Sequence, residues 1–172
     1  MSTLLSSPMR DISRLGDIEE LTDEQERNLY RAIKAAWKLE HHLYPFPGRA
    51  TVAIWAVRSN WGENQQGFNP FGIRKKLREG EYELVAFPTI LDGFLKFNAL
   101  VATDPAHTPD LIQYWRGGID TAAFLCTLAK NERDADQLLA ALHHPTAIKL
   151  WTRAFRARSA QKTRQTTRNV TT

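Results

Sequence analysis

The chain has 172 residues, of which 42% are hydrophobic and 24% are charged, a balance typical of a globular domain rather than a disordered or collagenous chain. A chain of this length buries roughly two-thirds of its unfolded surface, so we expect one hydrophobic core. The longest apolar runs, such as 51–57, are far shorter than the roughly 20 residues that cross a bilayer, which argues against membrane insertion.

The net charge of +4 is distributed unevenly. Residues 149–172 carry seven basic and no acidic side chains, so residues 1–148 have a net charge of −3. This asymmetry predicts a tail that binds an acidic protein, nucleic acid or another anionic polymer, rather than a nucleic-acid-binding fold. We therefore divide the chain into an N-terminal arm (1–21), a globular domain (22–158) and a basic polar tail (159–172). On its own, the tail is expected to be disordered.

The cysteine content and the N-terminal segment indicate the cellular compartment in which the protein is made. Cys126 is the single cysteine and lies in an apolar stretch, which predicts a buried, inert thiol without an internal disulfide. The first 15 residues contain no continuous apolar region of the kind found in secretory signals. We expect synthesis in the cytoplasm.

Taken in chain order, the pattern predicts a helix that starts at Thr22 or Asp23 and ends near Leu43, before a Pro-rich stretch. A second helix, over 50–60, is apolar on nearly every side and should be central. A short hairpin follows, with 74–80 as its turn region and 81–87 as a strand. The remaining predicted helices cover 90–102, 109–115, 119–130, 134–143 and 146–158. The expected fold is mainly α (α+β), a helical bundle around a central buried helix with one short β-hairpin.

Two segments resemble a known family. Residues 53–62 read AIWAVRSNWG, and residues 69–74 read NPFGIR. Their order and spacing resemble the glucosaminidase family of bacterial and phage cell-wall hydrolases (glycoside hydrolase family 73, lysozyme-like superfamily). In that family a buried helix ends in A-L-E-S-G-W-G and a polar loop leads to N-x-F-G-I-K. Segments 87–94 and 121–131 resemble later family motifs, so the resemblance covers about residues 28–150. It implies a lysozyme-like fold and peptidoglycan as the glycan.

The chain departs from the family at one position, because Arg58 stands where the family has its catalytic Glu. Cleavage of a glycosidic bond needs a carboxylic acid that protonates the leaving oxygen, and a guanidinium cannot do this. The resemblance therefore implies a degenerate enzyme with no catalytic residue at this position. Glu63 and Asp92 are the candidates to replace the acid, together with hairpin carboxylates. Arg58 itself either pairs with Glu63 or Asp92 or contacts a ligand.

Candidate glycan-binding residues lie along the same segments. Aromatic side chains stack on the apolar faces of sugar rings, although Trp61 and Phe71 also suit packing of the loop, and Asn69 suits shaping its turn. The full candidate set is Arg58, Trp61, Asn69, Phe71 and Tyr82. The pairs His41-His42 and His143-His144 predict no metal site, because adjacent helical residues point about 100° apart. No cofactor or metal is expected.

Three functions remain open at this point. The first is a structural or accessory component of a phage tail, baseplate or similar injection machine. It would be associated with the virion or particle through its basic tail and could retain peptidoglycan binding. The second is an active peptidoglycan hydrolase, of endo-N-acetylglucosaminidase or muramidase type, that uses displaced carboxylates such as Glu63 and Asp92. The third is an assembly protein whose basic tail binds nucleic acid.

Overall fold

The computed structural model describes residues 19–39 and 46–170, with the backbone alone for residue 66 and residues 163–170. The predicted arm up to residue 18, the end of the first helix near Leu43 and the pair His41-His42 lie outside these residues. The described part is mainly helical with a small two-stranded antiparallel sheet, as predicted. Its elements are α1 Asp23–Leu39, α2 Gly48–Ser59, β1 Arg74–Arg78, β2 Glu81–Leu84, α3 Ile90–Thr103, α4 Thr108–Trp115, α5 Thr121–Thr127, α6 Glu132–Leu142 and α7 Pro145–Val170.

Helix α1 begins with a reciprocal cap. The Thr22 backbone N–H donates to Gln25 Oε1 (2.9 Å), and the Gln25 N–H donates to Thr22 Oγ1 (3.2 Å). Thr22 rather than Asp23 is therefore the capping residue, and two backbone donors are satisfied at once. The apolar face of α1, including Leu29 and Ile33, is fully buried against α2, α3 and α7.

Helix α2 is the centre of the fold, as its all-round apolar sequence predicted. Residues 50–56 are all buried, and Trp55 is 0% exposed. The helix packs against α1, α5 and α6. The buried Thr51 hydroxyl donates to Asn98 Oδ1 on α3 (3.0 Å), which ties α3 to the same core. A buried polar pair of this kind satisfies groups that water cannot reach.

The end of α2 turns sharply back toward α1. Asn60 and Trp61 have positive φ angles (48° and 56°), and Gly62 follows with φ 93°. A Cβ on Gly62 would lie 2.7 Å from Asn28 Cβ and 2.9 Å from Trp55 Cζ2, so only glycine fits this position. The turn brings the polar loop that follows against the core.

The hairpin differs from its prediction. Residues 74–78, expected as turn, form β1, and the turn is confined to Glu79 and Gly80. β2 stops at Leu84 because the next residues bond to the preceding loop instead: the Val85 N–H donates to Ile73 O and the Phe87 N–H to Gly67 O. The register runs from Arg74↔Leu84 and shifts between Lys76 and Arg78. All residues of both strands are exposed, so the alternation read in 81–87 does not mark a buried face.

Two helices differ in length from their predictions. α5 ends at Thr127 rather than near Lys130. The N–H groups of Leu128 and Ala129 donate to carbonyls three residues earlier, those of Leu125 and Cys126, instead of continuing the α-helical pattern. α7 continues beyond Arg158 to Val170, so the segment expected to be disordered is helical as far as the described residues reach. No Gly or Pro interrupts the chain after Pro145, and Arg, Gln, Lys and Ala are good helix formers. Within the described ranges, no helix is long and apolar enough to cross a bilayer.

The close approach of α3 to the loop after α2 generates a stability prediction. A Cβ on Gly93 would lie 2.4 Å from the backbone oxygen of Phe68. Alanine is a better helix former than glycine, but its Cβ would clash with this oxygen. We therefore expect Gly93→Ala to lower the free energy of unfolding by about 1–3 kcal/mol, as measured by urea denaturation. Gly48→Ala is the matched control, since its Cβ would meet nothing closer than 3.4 Å. Equal stability of the two variants would contradict this packing.

Candidate functional site

A pocket of about 300 Å³ lies beside the last turn of α2. Most of its lining side chains are apolar, and its polar side chains are those of Arg58, His107 and Lys130. This volume is at the lower end of the range for small-molecule sites, about 300–1,000 Å³. The lining residues are Ile54, Arg58, Pro70, Phe71, Gly72, Phe97, Val101, His107, Leu128, Lys130 and Leu138.

Arg58 is held at this pocket by an ion pair with Asp134. Its Nη2 donates to Asp134 Oδ2 at 2.7 Å, and the two side chains are 26% and 7% exposed. Arg58 lies in the last turn of α2 and Asp134 in the first turn of α6, so each charge also suits its helix dipole. The expected pairing of Arg58 with Glu63 or Asp92 is therefore wrong, because α6 rather than the loop or α3 supplies the carboxylate.

Asp134 is positioned by the start of α6. Its N–H donates to the Asn131 side chain (2.9 Å), while its Oδ2 accepts from the Lys130 N–H (2.9 Å). Burial acts to raise the pKa of Asp134. The Arg58 hydrogen bond, the Lys130 N–H and the charges of Arg58 and Lys130 outweigh burial, so the pKa lies below its ordinary value of 3.8. The carboxylate is therefore ionised at neutral pH and neutralises part of the Arg58 charge.

The two candidate replacement acids make local contacts. Glu63 accepts a hydrogen bond from the Asn60 side chain at the exposed turn after α2. Asp92 belongs to the cap of α3: its N–H donates to Thr89 Oγ1 (3.2 Å), and the Thr89 hydroxyl donates to Asp92 Oδ2 (2.6 Å). Neither residue is in the lining of the pocket.

Of the aromatic candidates, Phe71 lies at the pocket. Its ring stacks on Phe97, with ring centroids 4.2 Å apart and planes inclined by 12°. Trp61 instead packs edge-on against His144, at 4.9 Å between centroids. Tyr82 is 59% exposed on the hairpin and does not line the pocket. The structure thus separates three side chains that the sequence placed in one candidate set.

Asn69 holds the loop between α2 and the hairpin. Its Nδ2 donates to the carbonyls of Ile73 (2.7 Å) and Val85 (2.8 Å), and its Oδ1 accepts from the Ile73 N–H (2.9 Å). The buried amide therefore uses both its donor and its acceptor groups on the backbone. This arrangement holds the loop segment whose Phe71 and Gly72 line the pocket.

His107 and Lys130 are pocket residues that the sequence did not single out. His107 directly precedes α4, and Lys130 lies in the connection between α5 and α6. The Nδ1 atom of His107 is buried and has no hydrogen-bond partner among the described residues. No local motif surrounds either residue. Only the packing of α6 on α2, and of α4 on α3 and α5, brings them to the pocket that Arg58 lines.

The described residues contain no group of three or more His, Cys, Asp or Glu side chains that would hold a metal ion. His144 has a structural environment: its Nδ1 accepts from the Thr146 N–H (3.2 Å), and its Nε2 lies 3.1 Å from the Glu19 carbonyl oxygen. Because Nδ1 accepts, the ring proton is on Nε2 and donates to Glu19.

Comparisons of the chain with protein-family models, curated proteins and solved structures gave no match.

The lowered pKa of Asp134 predicts how stability changes in acid. Since the folded-state pKa is below that of the unfolded chain, the carboxylate contributes stability above the ordinary pKa, and this contribution is lost as the pH falls through the folded-state value. We expect the free energy of unfolding to fall more steeply below about pH 4 in wild type than in Asp134→Asn, as measured by urea denaturation at several pH values. Asp23→Asn, at an exposed position of α1, is the control that should follow wild type. Parallel curves for wild type and Asp134→Asn would contradict the assignment.

The backbone contacts of Asn69 predict a structural cost. Asn69→Ala removes the Asn69 partner of the Ile73 N–H and of the Val85 carbonyl, while the Ile73 carbonyl keeps its bond from the Val85 N–H. We expect the variant to lower the free energy of unfolding by about 2–4 kcal/mol. Hydrogen exchange of the Ile73 amide should accelerate by a larger factor than that of α2 amides. Asn64→Ala, at an exposed position of the same loop, should change neither quantity. If Asn69→Ala did not change the free energy of unfolding, the structural role of Asn69 would be contradicted, and a ligand role would remain.

Proposed function

We propose that this chain is a lysozyme-like protein that binds peptidoglycan glycan strands without cleaving them. In this role it serves as a structural or accessory component of a phage tail, baseplate or similar injection machine. The observation that carries the proposal is the Arg58–Asp134 ion pair at the pocket beside the end of α2. This is the position at which the resembling family has its general acid.

The chemistry of the pocket supports binding over hydrolysis. A glycosidase needs a protonated carboxyl group at the leaving oxygen, and an arginine remains charged at any physiological pH. Asp134 approaches the same position but is ionised and engaged by Arg58 and Lys130. A carboxylate held below its ordinary pKa is a poor proton donor. Both charged groups at the family's catalytic position are therefore unsuited to general acid catalysis.

The order of elements supports the lysozyme-like assignment. A central buried helix ends in a tight turn at Gly62, a loop follows that is held by Asn69, and a short exposed hairpin comes next. These are the segments that carry the resemblance to the glucosaminidase family. The apolar lining residues of the pocket and the ring of Phe71 suit a sugar ring, which presents apolar C–H faces to aromatic groups.

Helix α7 supports attachment to a larger assembly. Its first half packs on α1 through Trp37, whose ring lies 5.9 Å from Trp151 and 6.1 Å from Phe155 between centroids. The helix has 26 residues and is therefore about 39 Å long. The guanidinium groups of Arg153 and Arg158 lie over the rings of Tyr30 and Trp37, and residues 159–162, which follow, are exposed. A basic helix with an exposed segment at 159–162 suits a negatively charged site on a neighbouring subunit.

The test compares hydrolysis and binding on the same purified, insoluble peptidoglycan. We expect wild type to co-sediment with it and to release no reducing ends. The double variant Arg58→Glu/Asp134→Asn restores a carboxyl group without placing it against a second buried carboxylate, and Arg58→Ala removes the cation alone. Reducing ends released only by the double variant would indicate that the missing acid is the cause of inactivity. Lys76→Glu, on the exposed hairpin, has the same charge change as Arg58→Glu and should remain inert.

Two outcomes would overturn the proposal. Release of reducing ends by wild type, abolished in Glu63→Gln or Asp92→Asn, would identify an active hydrolase with a displaced acid. If folded wild type did not co-sediment with peptidoglycan, the binding role would be wrong and only the assembly role would remain. Circular dichroism and urea denaturation of each variant separate loss of function from loss of folding.

A further inference from the structure

Positive charge is concentrated on one pair of packed helices, α1 and α7. After the first turn of α1, residues 27–39 contain four basic and no acidic residues. In α7, residues 145–162, whose side chains the structure describes, contain five basic and no acidic residues. A basic stripe along a helix is the electrostatic pattern expected of a surface that binds a polyanion.

A groove of about 480 Å³, the α1–α7 groove, is lined by cations of both helices. Arg27, Arg31 and Lys34 line it from α1, and Arg153 lines it from α7. The three α1 residues follow the spacing i, i+4, i+7, which places them on one face of the helix. Their positions span about 10 Å along the helix axis, so they form a row of positive charges rather than a single point.

Tyr30 holds two of these cations at the groove. Lys34 Nζ lies 5.6 Å and Arg153 Cζ lies 5.4 Å from the centroid of the Tyr30 ring. Cation–π attraction of this kind restrains long side chains that would otherwise sample many rotamers. Side chains that are already restrained lose less entropy when they bind an anion. The ring thereby keeps one cation from each helix in place at the groove.

The acidic residues at the groove are confined to one end. Asp23 and Glu26 line it at the first turn of α1. Among the residues that the structure describes, neither forms an ion pair with Arg27 or Arg31. The guanidinium groups of these two arginines therefore keep their N–H donors available to a ligand.

The chemistry of this surface favours a nucleic acid over an acidic protein. The centre of a protein–protein interface is depleted in charged residues, whereas interfaces with nucleic acids are polar and strongly positive. The fork of a guanidinium matches phosphate oxygens through two parallel hydrogen bonds. Because a nucleic acid bears one phosphate per nucleotide, its backbone presents a row of anions to the row of cations on α1.

We propose that the α1–α7 groove binds the phosphodiester backbone of a nucleic acid. The residues that contact its phosphates are Arg27, Arg31, Lys34 and Arg153. This activity goes beyond the proposed function, since the groove and the pocket beside α2 share no lining residue. It also differs from binding by the terminal segment 159–172 alone, because the contacts come from α1 and from the part of α7 that packs on it.

The test measures binding of the full chain to a fluorescently labelled oligothymidylate, by anisotropy, over a range of salt concentrations. Arg27→Gln/Arg31→Gln removes two phosphate contacts at exposed positions, so folding is retained. For a single strand, each contact contributes about 0.7 to the slope of log K against log salt. The variant should therefore reduce this slope by about 1.4 and weaken binding about 25-fold at about 0.1 M salt.

Two double variants remove the same charge elsewhere. Arg74→Gln/Arg78→Gln, on the exposed strand β1, should bind the oligonucleotide like wild type. Arg164→Gln/Arg168→Gln, in the terminal segment, should weaken binding less than the α1 variant does. Circular dichroism and urea denaturation establish that each variant is folded.

Unlabelled competitors identify the class of polyanion. The oligonucleotide should displace the labelled probe at lower concentration than polyglutamate of equal charge or phosphatidylglycerol vesicles. Equal or stronger competition by either would overturn the inference, and so would a wild type that does not bind the probe. The same conclusion follows if the α1 variant binds like wild type or if the terminal variant loses as much affinity as the α1 variant.

Discussion

Burial of α2 is the constraint on which the rest of the fold depends. A helix that is apolar on every side must be covered on every side, and α1, α3, α5 and α6 all lie close to it or bond to it. Trp55 at its centre is completely buried, yet its indole N–H reaches the Gln65 side chain at 3.1 Å. The loop after α2 is thereby attached to the core, and the exposed hairpin can project from it without contributing to that core.

The charged end of α2 follows from the same burial. Arg58 leaves an apolar helix next to α6, where an unpaired charge would be costly, and Asp134 supplies the counter-charge. The pair stabilises the contact between two helix ends and simultaneously determines the chemistry of the pocket. Under the proposed function, a cation and an ionised carboxylate occupy the place where hydrolysis would need a neutral acid. The contact between the two helix ends and the charge at the pocket thus depend on one interaction.

The candidate site shows which parts of a site can be predicted from local sequence. Arg58 and Phe71 were identified because they belong to contiguous motifs, and both line the pocket. Asn69 was placed in the correct loop, where its contacts are with backbone atoms. His107, Lys130 and Asp134 were missed because each lies far along the chain from α2 and within no recognisable motif. Their role arises from helix packing, which places residues 76 positions apart within 2.7 Å.

The sequence by itself determined the helical class, the central position of α2, the start of α1 at Thr22 or Asp23 and the absence of a carboxylate at position 58. Each of these depends on local periodicity, capping chemistry or residue identity. Only the tertiary structure decided the partner of Arg58 and the exposure of the hairpin. The partner and the hairpin depend on which elements meet in space. Local patterns do not encode that information, because the faces of helices that pack together are chosen by the burial of the whole chain.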